Sequence, residues 1–327
     1  MRCRKFFALT TMLLLLSAAG VLLANGSQTD RKVVNIMFVG GSYTYGLLAD
    51  FTVTPSPFPL LALENLNEDR DLNDFCFQSY GIIGGVASSL NYSVIEKEFK
   101  QDHQALKGYQ KHSYFHGLTA IPGLCFSNLN FLLDNHSFED LKPWNFERKF
   151  NSCNTLFRTH KWTLLLKEKP VYSTRFDAEK LLSAPPIDIV ILWLGENDMT
   201  YKNTALHNFT PYRELIEKLY SALDNIPGRG YLMLINLPQT AAADSQTSLE
   251  NFKYFNSELK KFYKDQKLSK PKLLLVDLND TADPDVAEFN KQWISKYNTV
   301  FPADGTPYKN LGCIVAKKIK GIIKEHK

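Results

Sequence analysis

The chain has 327 residues, 44% of them hydrophobic and 13% aromatic, enough for one large α/β core or, less readily, two small ones. Its formal net charge is only +4, and the 38 basic residues less Arg2, Arg4 and Lys5 of the leader described next leave 35 against 34 acidic. No basic patch stands out, which argues against nucleic acid as a partner.

Arg2, Arg4 and Lys5 precede an apolar run from Phe6 to Ala24, and Ala24-Asn25-Gly26 offers small residues to a signal peptidase. Residues 1–26 therefore read as a signal peptide, with a run long enough to serve instead as an uncleaved anchor. Either way the remainder faces the ER lumen or the outside, so a secreted or lumenal protein is expected. Four cysteines follow the leader: Cys76, Cys125, Cys153 and Cys313. In an oxidising compartment they allow two disulfides in three pairings, of which Cys125–Cys153 is expected because both fall in one insertion-like region. No Cys/His spacing suggests a metal. Sequons at Asn25, Asn91, Asn135, Asn208 and Asn279 make a glycoprotein the expectation, Asn25 leaving with the leader if it is cut.

The first strand is Val33–Val39, apolar on both faces, and it stops at Gly40-Gly41-Ser42. A loop follows at Pro55 to Pro59, then a short helix over Leu60–Asn67. Phe75–Gln78 is a second, short strand that runs into Ser79-Tyr80-Gly81-Ile82-Ile83-Gly84-Gly85. Asn91–Leu106 has helical spacing. From about 107 to 169 periodicity is poor and aromatics are dense, as in a lid, a disulfide-tied excursion or a packing insertion. Regular spacing resumes with a helix over Thr174–Leu182 and the strongest buried strand, Ile187–Leu194. Then come a helix over Pro211–Ile226, a strand over Tyr231–Leu237, a helix over Leu249–Lys267, a strand over Lys272–Leu278 and a closing helix over Leu311–Lys324. This alternation implies one α/β domain over residues 30–327, with a five-stranded parallel sheet between two helical layers. No internal repeat or low-complexity linker divides it.

In such sheets ligands bind beyond the carboxyl ends of the strands. Ser42 follows the first strand, Gly84 the second, and Leu194-Gly195-Glu196-Asn197-Asp198 the third, while Asp304-Gly305-Thr306-Pro307 precedes the last helix. Four loops at one edge would thus gather a Ser, a Gly, an Asn and an Asp. Glu196 and Asp198 beside Asn197 read as solvated or capping acids.

In order, these four blocks resemble those of the SGNH (GDSL-type) esterase and lipase superfamily. Gly40-Gly41-Ser42-Tyr43-Thr44-Tyr45-Gly46 resembles its nucleophile block, Ser79–Gly85 its glycine block, Gly195–Asp198 its GxND block and Asp304–Gly312 its C-terminal block. The resemblance spans roughly Val33 to Ile323. It implies a three-layer, flavodoxin-like α/β/α fold and hydrolysis of a lipid or other small acyl ester, which needs no metal or organic cofactor. Ser42 would be the nucleophile. Its own N–H, the N–H of Gly84 and the side-chain amide of Asn197 would form the oxyanion hole, and Asp304 would orient a histidine. Membrane contact would come through the substrate or an uncleaved leader.

The departures fall on the chemistry. Where the resembled block carries its histidine this chain has Pro307, where it carries Asp before the nucleophile there is Gly41, and Ser79 replaces an Asn. Proline accepts no proton, and a serine hydroxyl without a base is a weak nucleophile at neutral pH. Three readings stay open. His112, His116, His160, His207 or Lys309 supplies the base; the chain is a pseudo-hydrolase that binds an acyl or glycan ligand; or the last block is locally misaligned.

Overall fold

The computed structural model describes residues 31–46, 48–49, 54–81, 113–115, 119–120, 124–136, 175–183, 185–200, 209–226, 230–242, 246–293 and 300–325. The leader, the helix expected over Asn91–Leu106, Gly84, Cys153, most of the 107–169 stretch, four candidate histidines (His112, His116, His160 and His207) and the sequons at Asn25, Asn91 and Asn208 lie outside these residues. Among the described residues no helix is long and apolar enough to cross a membrane.

Strand β1, Lys32–Gly40, is the centre of the molecule: Ile36, Phe38 and Val39 are fully buried, which is why its apolar residues run on instead of alternating. A single helical turn, α1 (Ser42–Tyr45), follows directly and closes on Gly46, whose φ of 87° lies in the left-handed region that glycine enters at little cost. Helix α2, Phe58–Glu68, starts with a proline in its first turn. Strand β2, Phe75–Tyr80, runs two residues further than Gln78 and pairs with β1 from Lys32↔Phe75 to Met37↔Tyr80. Where β2 stops, the two-residue strand β3, Thr119–Ala120, takes over the same flank of β1.

Next come helix α3, Phe126–Leu132, and strands β4, Asp134–His136, and β5, Phe176–Asp177, which pair antiparallel in a small second sheet. The expected helix over Thr174–Leu182 is corrected here: its first part is β5, and only α4, Ala178–Ser183, is helical. The chain then enters β6, Ile189–Trp193, buried throughout. After it come α5 (Glu196–Thr200), α6 (Thr210–Asp224), β7 (Tyr231–Ile235), α7 (Gln246–Gln266), β8 (Leu273–Val276), α8 (Pro284–Gln292) and α9 (Thr306–Glu325).

The main sheet is parallel with strand order β2-β1-β6-β7-β8, and β3 rides on β1. Counted along the chain without β3, β4 and β5, that is the doubly wound order 2-1-3-4-5 of the flavodoxin-like fold. Helices α2 and α8 pack on α9, while α3 and α4 pack on α6 and ring contacts join α6 to α7. Phe38 and Trp193 meet Phe58 of α2 from the sheet. On the other side Phe126, Tyr212 and Phe255 stack against one another. The described part of the aromatic-rich insertion therefore contributes to the core: Phe115, Phe126 and Leu129 are all buried.

No disulfide joins the described cysteines Cys76, Cys125 and Cys313 to one another. Cys125 is the N-cap of α3, where its backbone N–H donates to the Asn128 side chain.

Candidate active site

Sheet order places the crevice between β1 and β6, where successive connections leave in opposite directions. The loops that leave these two strands touch. A Cβ on Gly40 would sit 2.0 Å from the Thr44 hydroxyl and 2.3 Å from the Trp193 carbonyl, so the end of β1 lies directly on the end of β6. The Thr44 hydroxyl donates to that carbonyl, at 3.1 Å, and ties α1 to the sheet. A Cβ on Gly41 would lie 2.1 Å from Glu196 Oε1 and 3.0 Å from Asn197 Nδ2. Gly41 has φ −102°, so space, not dihedral strain, requires glycine there. Gly41, the residue before Ser42, thus meets Glu196 and Asn197 across the crevice, and both Ser42 and Asn197 are buried.

Close by stands a group that the sequence reads as solvated or capping. Glu196 is 1% exposed, and its carboxylate accepts the backbone N–H groups of Ser42, Tyr43, Gly195 and its own residue. Burial pushes its pKa up to about 7, against the pull of those amides. Gly195 makes the approach with φ 129°, and the Phe126 and Phe255 rings crowd its α-carbon. Two buried phenols, Tyr212 of α6 and Tyr308 of α9, sit close enough for the Glu196 charge to add to the burial that already raises their own pKa values. Asp198 is buried as well and accepts the Phe126 N–H, at 3.2 Å, so it caps α3. The solvated alternative for these two acids is corrected: a helix start and a nest of amides draw them inward.

Asn197 donates from Nδ2 to the Leu124 carbonyl at 3.1 Å and more weakly to Glu196 Oε1 at 3.4 Å. Its amide nitrogen therefore has acceptors inside the protein. Asp304 is exposed, and its carboxylate accepts the Thr306 N–H at 2.8 Å, which caps α9. Pro307 is buried in the first turn of α9, and Lys309 is exposed two residues on. The C-terminal block reaches the Ser42 region through its neighbours. Tyr43 donates its hydroxyl to the Val300 carbonyl, Ala49 its N–H to the Pro302 carbonyl, and Gly305 lies against Thr54. Among the described residues the one histidine is His136, stacked 3.8 Å over Phe131 beside the second sheet.

The sequence reading missed the role of Glu196. The signal was present as a pair of anomalies, a glycine where the resembled block has an acid and an acid at the free position of GxND. Nothing in the spacing said that the two would meet.

No protein-family model matches the chain, and no curated protein matches it in sequence. Several solved structures are similar to it, two of them as follows. One is an active site mutant of a family two carbohydrate esterase from Clostridium thermocellum, 12% identical, TM-score 0.45, over 89% of this chain and 64% of that one. The other is a GDSL-like lipase from Parabacteroides merdae, 14% identical, TM-score 0.43, over 89% of this chain and 97% of that one. The chain thus spans about two thirds of the length of the esterase and nearly all of the lipase.

Proposed function

We propose that this chain is an SGNH-type serine hydrolase scaffold in which ester hydrolysis is impaired, leaving a site that receives an acyl or glycan ligand in the secretory pathway. One observation carries the reading: the two described donors of the expected oxyanion cradle, the Ser42 N–H and the Asn197 amide, are engaged within the protein. The Ser42 N–H is accepted by Glu196 and the Asn197 amide by the Leu124 carbonyl. An oxyanion hole works because its donors wait unengaged for charge to develop, and losing one costs roughly 10²–10³ in rate. Pro307 in place of a histidine adds to this, since loss of the base lowers kcat by about 10⁴–10⁶ in triad hydrolases. The signal peptide expected from the sequence of residues 1–26 is the ground for the secretory setting.

A second reading, a competent secreted esterase of lipid or other acyl esters that uses Ser42, Gly84, Asn197 and Asp304, is favoured by one feature. The Ser42 turn is built at the switch point with Asn197 beside it, and its lost acid is replaced by Glu196. Turnover of a short p-nitrophenyl ester by the secreted protein and by Ser42→Ala separates the two. Equal, near-background rates support the impaired scaffold. A wild-type rate at least a hundredfold above Ser42→Ala would establish the esterase instead.

A further inference from the structure

Position 41 poses the question. Any side chain there would collide with Glu196 Oε1, 2.1 Å from an ideal Cβ, and the carboxylate that occupies this space comes from the far side of the crevice. Its Oε1 takes the N–H groups of Ser42 and Tyr43, the first two residues of α1, together with those of Gly195 and Glu196 at the end of β6. One carboxylate therefore joins the two loops that the sheet order brings to the switch point. The amides on this oxygen offset part of the lost hydration, and burial still outweighs them and favours the protonated acid.

We infer that Glu196 is the positioning residue of the Ser42 turn: its carboxylate replaces the acid missing at position 41, clamps the first two amides of α1 to the end of β6, and thereby fixes the backbone that carries the Ser42 hydroxyl. The exchange is reciprocal, since glycine at 41 makes room for the acid at 196. The same clamp fills the Ser42 amide that a substrate oxyanion would need. The inference deepens the proposed function and rests on it for the role of Ser42, but it is read by unfolding, so absence of turnover leaves it testable.

The titratable groups around Glu196 are Tyr212 of α6, Tyr308 of α9 and Asp198 of α5. Both phenols have raised pKa values and stay neutral through the physiological range. Glu196 holds its proton in the folded protein up to about pH 7, well above an unfolded glutamate. Its contribution to stability is therefore full at acid pH and is lost as pH rises through about 7.

The test is a double-mutant cycle between positions 41 and 196, with a pH series of unfolding midpoints. Gly41→Ala should lower the wild-type Tm by several degrees and cost less than half as much in a Glu196→Ala background. Glu196→Gln should flatten the pH dependence of the midpoint between pH 5 and 8. An equal cost of Gly41→Ala in both backgrounds, or an unchanged pH profile in Glu196→Gln, would overturn the clamp. If the Glu196 variants do not fold, amide hydrogen exchange of the wild type decides: protection of the Ser42 and Tyr43 N–H groups is expected, and exchange at the rate of unbonded amides there overturns the inference.

Discussion

Space around single atoms decides what Gly40 and Gly41 can be. Neither has the positive φ that usually explains a glycine among the residues of a turn; each is a point where two strand ends press together. At Gly40 an added methyl would meet the Trp193 carbonyl, a main-chain atom that cannot swing aside. Gly40→Ala should therefore destabilise the fold by roughly 1–3 kcal/mol, as overpacking does elsewhere, measured by urea unfolding. A parallel distinction separates two sequons. Asn279 donates its side-chain nitrogen to the Leu237 carbonyl and accepts the Gln239 N–H, so the atom a glycan would use is engaged. Asn135 is exposed within β4, at an irregularity of the pairing where its φ is 64°. Mass spectrometry of the protein secreted from mammalian cells should find a glycan at Asn135 and none at Asn279.

Helix α9 shows how far the pattern of a single element could be read. Its apolar positions, among them Leu311, Val315, Ile319 and Ile322, recur at helical spacing and were legible. Its true start at Thr306 was not, because the first turn is set by the Asp304 cap and a proline, which carry no periodicity. Strands read well where both faces are buried: β1, β6, β7 and β8 begin within two residues of expectation. Phe176–Asp177 misled because two residues of strand gain their place from pairing with β4, a contact remote in sequence. Two glycines within α9 should respond oppositely. Gly312 is pressed onto α2, where a Cβ would lie 2.7 Å from that of Leu61, so Gly312→Ala should lose about 1 kcal/mol or more. Gly321 has nothing within 4 Å, and Gly321→Ala should gain about 0.5–1 kcal/mol by helix propensity. The far end of α9 is tied to the turn after α2 by Lys320 and Lys324 on Asp71, and by Lys320 on Asp69. Asp71 is held down to about 2, chiefly by its bond to Lys320. That stabilisation is present above the ordinary carboxylate range and is lost as pH falls through about 2. Lys320→Met should thus show a small loss at pH 7 that fades below pH 3 and in high salt, both read by thermal melts.

For the whole molecule, sheet order does most of the positioning. The order β2-β1-β6-β7-β8 brings Ser42, Glu196 and Asn197 together although more than 150 residues separate the first from the others. Strand and motif order placed Ser42 and Asn197 after the two strands that flank this crevice. The direction each polar group faces was beyond the sequence, because it depends on partners such as the Leu124 carbonyl, which belongs to no motif. A serine on a sharp turn after a buried strand suggests a nucleophile, yet here its amide already holds a carboxylate. Labelling with a fluorophosphonate, followed by mass spectrometry of the peptide that carries Ser42, asks most directly whether this serine is activated. No adduct on Ser42 in the folded protein is the expected result, and stoichiometric modification of Ser42, abolished by prior unfolding, would contradict it.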